Sequence, residues 1–256
     1  MQKLCRRVFA VCSVAVVGAM VAGLHGGPAA SRAIFHHPRV AVSRPGTRAA
    51  GWASSNWSGY AIAGSGYSSV SASWTVQAVA PSRRATYSSE WVGIDGYNNN
   101  DLIQAGTESD YYNGSAHYAA WWEILPAAET VVTSLAVNPG DTITASITKG
   151  SSLWTITIQD GGQKFTTVQA YTGPQTSAEW VEEAPSVGGR VAPLANYGQA
   201  TFDPGTVNGG SPNLTASNGG VMVQKRVQVS TPSDPDGDAD GFNMAYGAAA
   251  PAPPSS

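Results

Sequence analysis

Hydrophobic and polar positions alternate with a period of two in several stretches. Val70, Ala72, Trp74 and Val76 are interleaved with Ser71, Ser73 and Thr75, and Ile143, Ala145 and Ile147 repeat the pattern. Trp154, Ile156 and Ile158 lead into Asp160-Gly161-Gly162 and then Phe165 to Val168, which predicts a hairpin turning at the glycines. The stretches 221–229 and 242–246 read as closing strands. Side chains two apart in a strand share a face, so each stretch has one buried and one solvated side. No window carries the 3.6-residue period of an amphipathic helix. The predicted fold is all-β, an antiparallel β-sandwich.

Composition fits that reading. Of 256 residues 42% are hydrophobic, with eight tryptophans and ten tyrosines, while only 12% are charged. That mixture supplies strands and tight turns but few of the Glu and Lys residues an amphipathic helix carries on its outer face. At the N-terminus Lys3, Arg6 and Arg7 precede an apolar run from Val8 to Leu24 and a cluster of small residues at 27–30. Residues 1–30 therefore read as a secretory signal peptide, and Arg6-Arg7-Val8-Phe9 faintly resembles a twin-arginine export signal. Both cysteines, Cys5 and Cys12, leave with it. The expected product is secreted, extracellular and free of disulfides, with no membrane segment once the signal is cleaved. Residues 31–51 carry four arginines, two histidines and no acid, and read either as a flexible linker or as a basic propeptide lying over the domain that follows. The ordered domain is expected at 52–246, as a monomer, with a disordered Ala/Pro/Ser tail at 247–256.

From Ala50 onward seven basic residues face seventeen acidic ones. A domain with that balance repels nucleic acid. In acid its carboxylates neutralise and the repulsion among them falls, so the composition suits an acidic medium.

The candidate chemistry is narrowed by what is missing. The domain keeps one histidine, His117, read as a surface or packed strand residue rather than a catalyst. Gly64-Ser65-Gly66 lacks the spacing of a nucleophile elbow, and no glycine-rich phosphate loop with a lysine occurs. Asp234-Pro-Asp236-Gly-Asp238-Ala-Asp240-Gly241 resembles a calcium loop, but the twelfth position, where an EF-hand has a bidentate Glu, is Ala245; a polar turn is expected. Carboxylates within strands remain. Val92 and Ile94 face the core, leaving Trp91, Gly93 and Asp95 on the other side. Trp121 shares a face with Glu123, and Glu179, Val181 and Glu183 lie together opposite Trp180 and Glu182. Gln104 sits between Ile103 and Ala105. Tryptophan, amide and carboxylate on one sheet face fit three functions: peptide hydrolysis, carbohydrate binding by ring stacking, or a glycosidase using two carboxylates such as Glu123 and Glu183.

Five ordered blocks carry a family resemblance: Trp91-Val-Gly-Ile-Asp-Gly96, Leu102-Ile-Gln-Ala-Gly106, Trp121-Trp-Glu123, Ala178-Glu-Trp-Val-Glu-Glu183 and Leu194-Ala-Asn-Tyr-Gly198. Together with Asn56-Trp-Ser-Gly-Tyr60 they resemble the glutamic peptidases, or eqolisins, over roughly residues 54–246. The resemblance implies a concanavalin-like sandwich of two bent, roughly seven-stranded sheets. It also implies an acid-acting endopeptidase, made as a zymogen with a basic propeptide, that acts on polypeptides without cofactor or metal. It places the catalytic pair on Gln104 and Glu183, and supporting or substrate-binding groups on Trp91, Asp95, Glu123, Trp121 and Glu108. The chain departs from the fungal members at Leu125, where they have an aromatic, at Ala184-Pro185, where they have Asp-Phe, and in lacking their cysteines. These departures bear on substrate preference more than on chemistry, and the missing cysteines suit a bacterial-type member.

Overall fold

The computed structural model describes residues 33–43 and 51–256. The expected signal peptide lies outside the described residues, as does part of the basic segment. Among the described residues, seventeen strands and one 3₁₀ turn, Ala216–Asn218, make up the regular structure. The first four strands are β1 (Ile34–Phe35), β2 (Trp52–Ser54), β3 (Trp57–Ala63) and β4 (Ser69–Thr75). Next come β5 (Ser89–Ile94), β6 (Ile103–Tyr112), β7 (Ser115–Ile124) and β8 (Thr130–Val131). The meander β9 (Thr142–Lys149), β10 (Trp154–Asp160) and β11 (Gln163–Gln169) follows. The last six are β12 (Ser177–Glu183), β13 (Ser186–Val187), β14 (Gln199–Val207), β15 (Gly219–Gln224), β16 (Val227–Pro232) and β17 (Phe242–Tyr246).

Hydrogen bonding in the large sheet runs along the path β11-β10-β9-β4-β14-β17-β16-β15-β3-β12-β5-β6-β7-β8, with seven strands on either side of the turn that joins β15 to β16. The two halves pack face to face. The main core lies between them and takes Val70, Ala72 and Trp74 from one half and Val92, Ile94, Ala105 and Trp180 from the other. Buried indole N–H groups cross the interface to find acceptors: Trp74 donates to Thr107 Oγ1 at 2.8 Å and Trp180 to the Ser71 carbonyl at 2.9 Å. Burying those donors unpaired would cost roughly 1–3 kcal/mol each.

The glycine hairpin forms where the pattern placed it, with Asp160 paired to Gln163 across Gly161-Gly162. The 221–229 stretch is two strands rather than one. Lys225 and Arg226 both take positive φ, 50° and 68°, and fold it into the β15–β16 hairpin without the Gly or Asn that normally marks such a turn. Residues 247–256, expected to be disordered, are held against the domain: Asn243 Nδ2 donates to the Ala252 carbonyl at 2.9 Å and Gly237 N to Ser256 Oγ at 2.9 Å. His117 is a packed strand residue, stacked on Tyr112 with ring centroids 3.8 Å apart.

Candidate active site

The outer face of β3, β12, β5, β6 and β7 carries the candidate chemistry in three rows fixed by strand register. Trp57, Glu183, Ser89, Glu108 and Ala119 form one row; Gly59, Val181, Trp91, Gly106 and Trp121 the next; Ala61, Glu179, Gly93, Gln104 and Glu123 the third. Glu183 and Gln104 thus share a face on either side of β5, with the Trp91 row between theirs. Glycines make the space. A Cβ at Gly106 would come 2.5 Å from the Cβ of Trp91, so only glycine lets that indole lie across β6. Trp52, Trp57, Trp91, Leu102, Trp121 and Val181 form an apolar cluster on this face, separate from the core between the sheets, and Leu125 packs at its margin.

The tryptophans are anchored through their N–H groups. Trp91 Nε1 donates to Glu183 Oε2 at 2.9 Å, and Trp121 Nε1 donates to Ser89 Oγ at 3.0 Å, which in turn donates to the Thr107 carbonyl. Gln104 Nε2 donates to Glu123 Oε2 at 2.7 Å, leaving its second N–H available to a bound substrate. Glu123 is buried, and this desolvation pushes its carboxyl up to about 8 against the opposing pull of His36, helped by repulsion from Glu183 and Glu129. Glu108 stands one strand from Ser89; burial and Glu129 raise its carboxyl to about 8. These groups are neutral acids in acidic solution and can donate as well as accept.

Asp95 goes elsewhere. Strand alternation stops at Ile94, and Asp95 adopts φ 72°, turning its carboxylate to the segment before β12. There it accepts from Tyr171 Oη at 2.6 Å, Thr176 N at 2.8 Å, Gln175 N at 2.9 Å and Asn99 Nδ2 at 3.0 Å. Its hydrogen bonds fasten a loop and reach neither Gln104 nor Glu183.

Part of the basic segment lies in the site. β1 pairs antiparallel with β13, just past Glu183. The chain then delivers a buried His36, whose Nδ1 is 2.9 Å from Glu183 Oε2 and whose Nε2 is 3.2 Å from Glu129 Oε2. Its ring stacks on Trp121 at 3.6 Å and 8°. Because both ring nitrogens face carboxylate oxygens, both carry protons. Burial disfavours this charge, but Glu183, Glu129 and Glu123 outweigh it and hold the imidazolium well above the usual histidine range. His37 N donates to the other Glu183 oxygen at 3.3 Å. Downstream, Arg39 Nε donates to the Tyr97 carbonyl while its guanidinium lies 4.3 Å from the Tyr97 ring centroid, and Asn56 Oδ1 accepts from Val40 N at 2.9 Å.

Sequence reasoning pointed at the strand groups and missed His36, Glu129 and Ser89. The paired histidines within a basic, acid-free segment were the available signal for His36. Glu129, on the connection from β7 to β8, and Ser89, a small residue before Glu90, carried none.

Residues 55–242 match the model of the Peptidase A4 family. Aspergillopepsin-2 of Aspergillus niger is 26% identical over 216 residues, covering 73% of this chain and 76% of that protein. Scytalidopepsin B of Scytalidium lignicola is 34% identical over 100 residues, 38% of this chain and 36% of that one. Among solved structures, scytalido-glutamic peptidase with a transition state analog inhibitor superposes with a TM-score of 0.65 at 23% identity, over 75% of this chain and 98% of that one. Aspergilloglutamic peptidase from Aspergillus niger gives 0.54 at 24% identity, over 63% and 99%. The shared fold is the glutamic peptidase β-sandwich, and the match along the sequence displaces the two sugar-directed readings in favour of a hydrolase of peptide bonds. The chain belongs to the Peptidase A4 family, the glutamic peptidases or eqolisins.

Proposed function

We propose that this chain is a secreted, acid-acting endopeptidase whose catalytic pair is Glu183 and Gln104, held inactive by its own residues 33–43. The observation that supports it best is the environment of Glu183: a buried carboxylate on an aromatic-lined face, fixed by Trp91 Nε1 at 2.9 Å and covered by the basic segment. A carboxylate so placed is a general base once that segment leaves.

In the reaction Glu183 takes a proton from a water whose oxygen attacks the scissile carbonyl carbon. The Gln104 amide donates its free N–H to the oxyanion that forms. An amide suits this task because it stays neutral at every working pH. Glu183 then returns the proton to the amide nitrogen, the C–N bond breaks, and a carboxylic acid and an amine leave. Proton transfer of this kind contributes about 10²–10⁴-fold, and one oxyanion donor about 10²–10³-fold. Neutral Glu123 supports the site by holding the Gln104 amide. Trp91 and Trp121 wall the cleft and limit water.

In the zymogen, His36 and the His37 N–H occupy both oxygens of Glu183, so no water can be activated there. Removal of the segment opens both oxygens to water. The predicted signal peptide supports secretion.

The test is degradation of a denatured protein at acidic pH by the purified, processed enzyme beside Glu183→Gln and Gln104→Ala. Cleavage by the parent, with loss in Glu183→Gln and a fall of about 10²–10³ in Gln104→Ala, is expected. Equal cleavage by parent and Glu183→Gln would remove Glu183 from the chemistry.

A further inference from the structure

A second acidic site lies away from the cleft, where β14 meets the loop between β16 and β17. The one-letter pattern of that loop fails as an EF-hand because position twelve is Ala245. The fold supplies a carboxylate from another strand instead. Asp203 sits in the irregular stretch of β14 between Phe202 and Gly205, and the carboxylates of Asp203, Asp236 and Asp240 each bring an oxygen within 4.8 Å of the others.

A polar turn does not account for how these groups are left. Asp236 is 9% exposed, and although its Oδ1 accepts from Asp240 N at 3.2 Å, its Oδ2 is buried with no hydrogen-bond partner. Asp240 Oδ1 is likewise buried and unpartnered. The free Oδ2 of Asp236 lies on the same side of Gly241 as Asp203: a methyl group on that glycine would clash with both the oxygen and the Asp203 carboxyl carbon, so the two carboxylates converge over it. Among the described residues no cation answers them, because both ion pairs there belong to His36. The loop is shaped by its backbone, with Asp236 N donating to the Gly241 carbonyl at 3.0 Å and Gly205 N to the Asp240 carbonyl at 2.8 Å. Burying converging carboxylate oxygens without a partner is costly, and a hard divalent cation is the group that repays it.

We propose that Asp203, Asp236 and Asp240 form a structural calcium site that fastens the β16–β17 loop to β14. The donors are all carboxylate oxygens, from β14 and the β16–β17 loop. Calcium takes six to eight oxygens in flexible geometry and tolerates such a mixed set with waters; magnesium demands a tighter octahedron. The site stands apart from Glu183 and Gln104 and supplies stability, not chemistry.

The experiment uses the purified protein at one mildly acidic pH, melted in EDTA and then with calcium or magnesium chloride at about 10 mM, with calorimetric titration of calcium in parallel. We expect one calcium bound per chain, a rise in Tm of about 5 °C with calcium and a smaller one with magnesium. Asp203→Asn and Asp240→Asn relieve carboxylate repulsion, so in EDTA they are expected to fold and to melt no lower than the parent, yet to lose the calcium shift. Asp236→Asn should do the same, and the two partly exposed positions keep the test valid if that buried variant does not fold. The proposal is overturned if calcium gives the parent neither binding heat nor a Tm shift, or if the shift survives in Asp203→Asn and Asp240→Asn.

Discussion

Nδ1 of His36 lies 2.9 Å from Oε2 of Glu183, the oxygen that also accepts the Trp91 indole N–H. The proposed base and its proposed blocking cation are thus joined in a buried site. Truncating one partner of a buried, hydrogen-bonded charge pair costs about 2–5 kcal/mol. A synthetic peptide of residues 33–43 should inhibit the processed enzyme, and its His36→Ala version should do so about 10²-fold less well. Full-length His36→Ala should also process faster at a given acidic pH. Equal inhibition constants for the two peptides would show that the segment docks through β1 and Arg39 alone.

Glu123 and Gln104 give a second prediction. The 2.7 Å bond between them orients the amide, and a Glu123 carboxyl raised to about 8 is neutral in acidic solution. Glu123→Gln preserves shape and neutrality and should keep kcat within a few-fold below pH 6. Glu123→Ala leaves the amide loose and should lower kcat about tenfold with little change in KM. A full loss of activity in Glu123→Gln would instead make Glu123 a proton carrier.

Much of this arrangement was legible because strand periodicity is local. The grouping of Glu179, Val181 and Glu183 on one face, and of Val92 and Ile94 on the other, needs only the two-residue repeat, and the register bears it out. What joins those faces was not legible. β12 pairs with β3 and β5, whose partners lie roughly a hundred residues away in the chain, and no local pattern encodes that register. The arrival of His36 depends on the two-residue β1 strand finding β13, a signal too short to read. The hydrogen bonds of Asp95 were not legible either, because strand alternation ends at Ile94 and Asp95 takes a left-handed conformation that aspartate tolerates.

Asp95 therefore yields a prediction of a structural kind. Its carboxylate accepts two backbone and two side-chain N–H or O–H groups at 3.0 Å or less. Asp95→Ala strands those donors and should cost about 2–4 kcal/mol in chemical denaturation. Below its melting temperature the variant should retain kcat within a few-fold. A collapse of kcat in a fully folded Asp95→Ala protein would return Asp95 to the groups that support the site.

The last prediction concerns Glu90 and Glu182, directly paired across β5 and β12, fully buried, and on the core side of the sheet beside Tyr197. Both Glu182 oxygens and one of Glu90 lack hydrogen-bond partners. Burial raises Glu90 from 4.5 to about 8, and burial together with the Glu90 charge raises Glu182 well above its ordinary range. Their folded values exceed the unfolded one, so the native state binds more protons than the unfolded chain between the two. The stability they contribute is complete below about pH 4.5, and is lost as pH climbs through 8. Melting of the processed domain should thus fall by about 10 °C or more from pH 4 to pH 8, the reverse of ordinary acid denaturation. Glu182→Gln replaces one acid with a neutral isostere and should flatten that slope while leaving the acidic limb in place. A Tm that stays level or rises over this range would mean that the pair ionises without penalty, and would remove these two residues as the reason the fold favours acid.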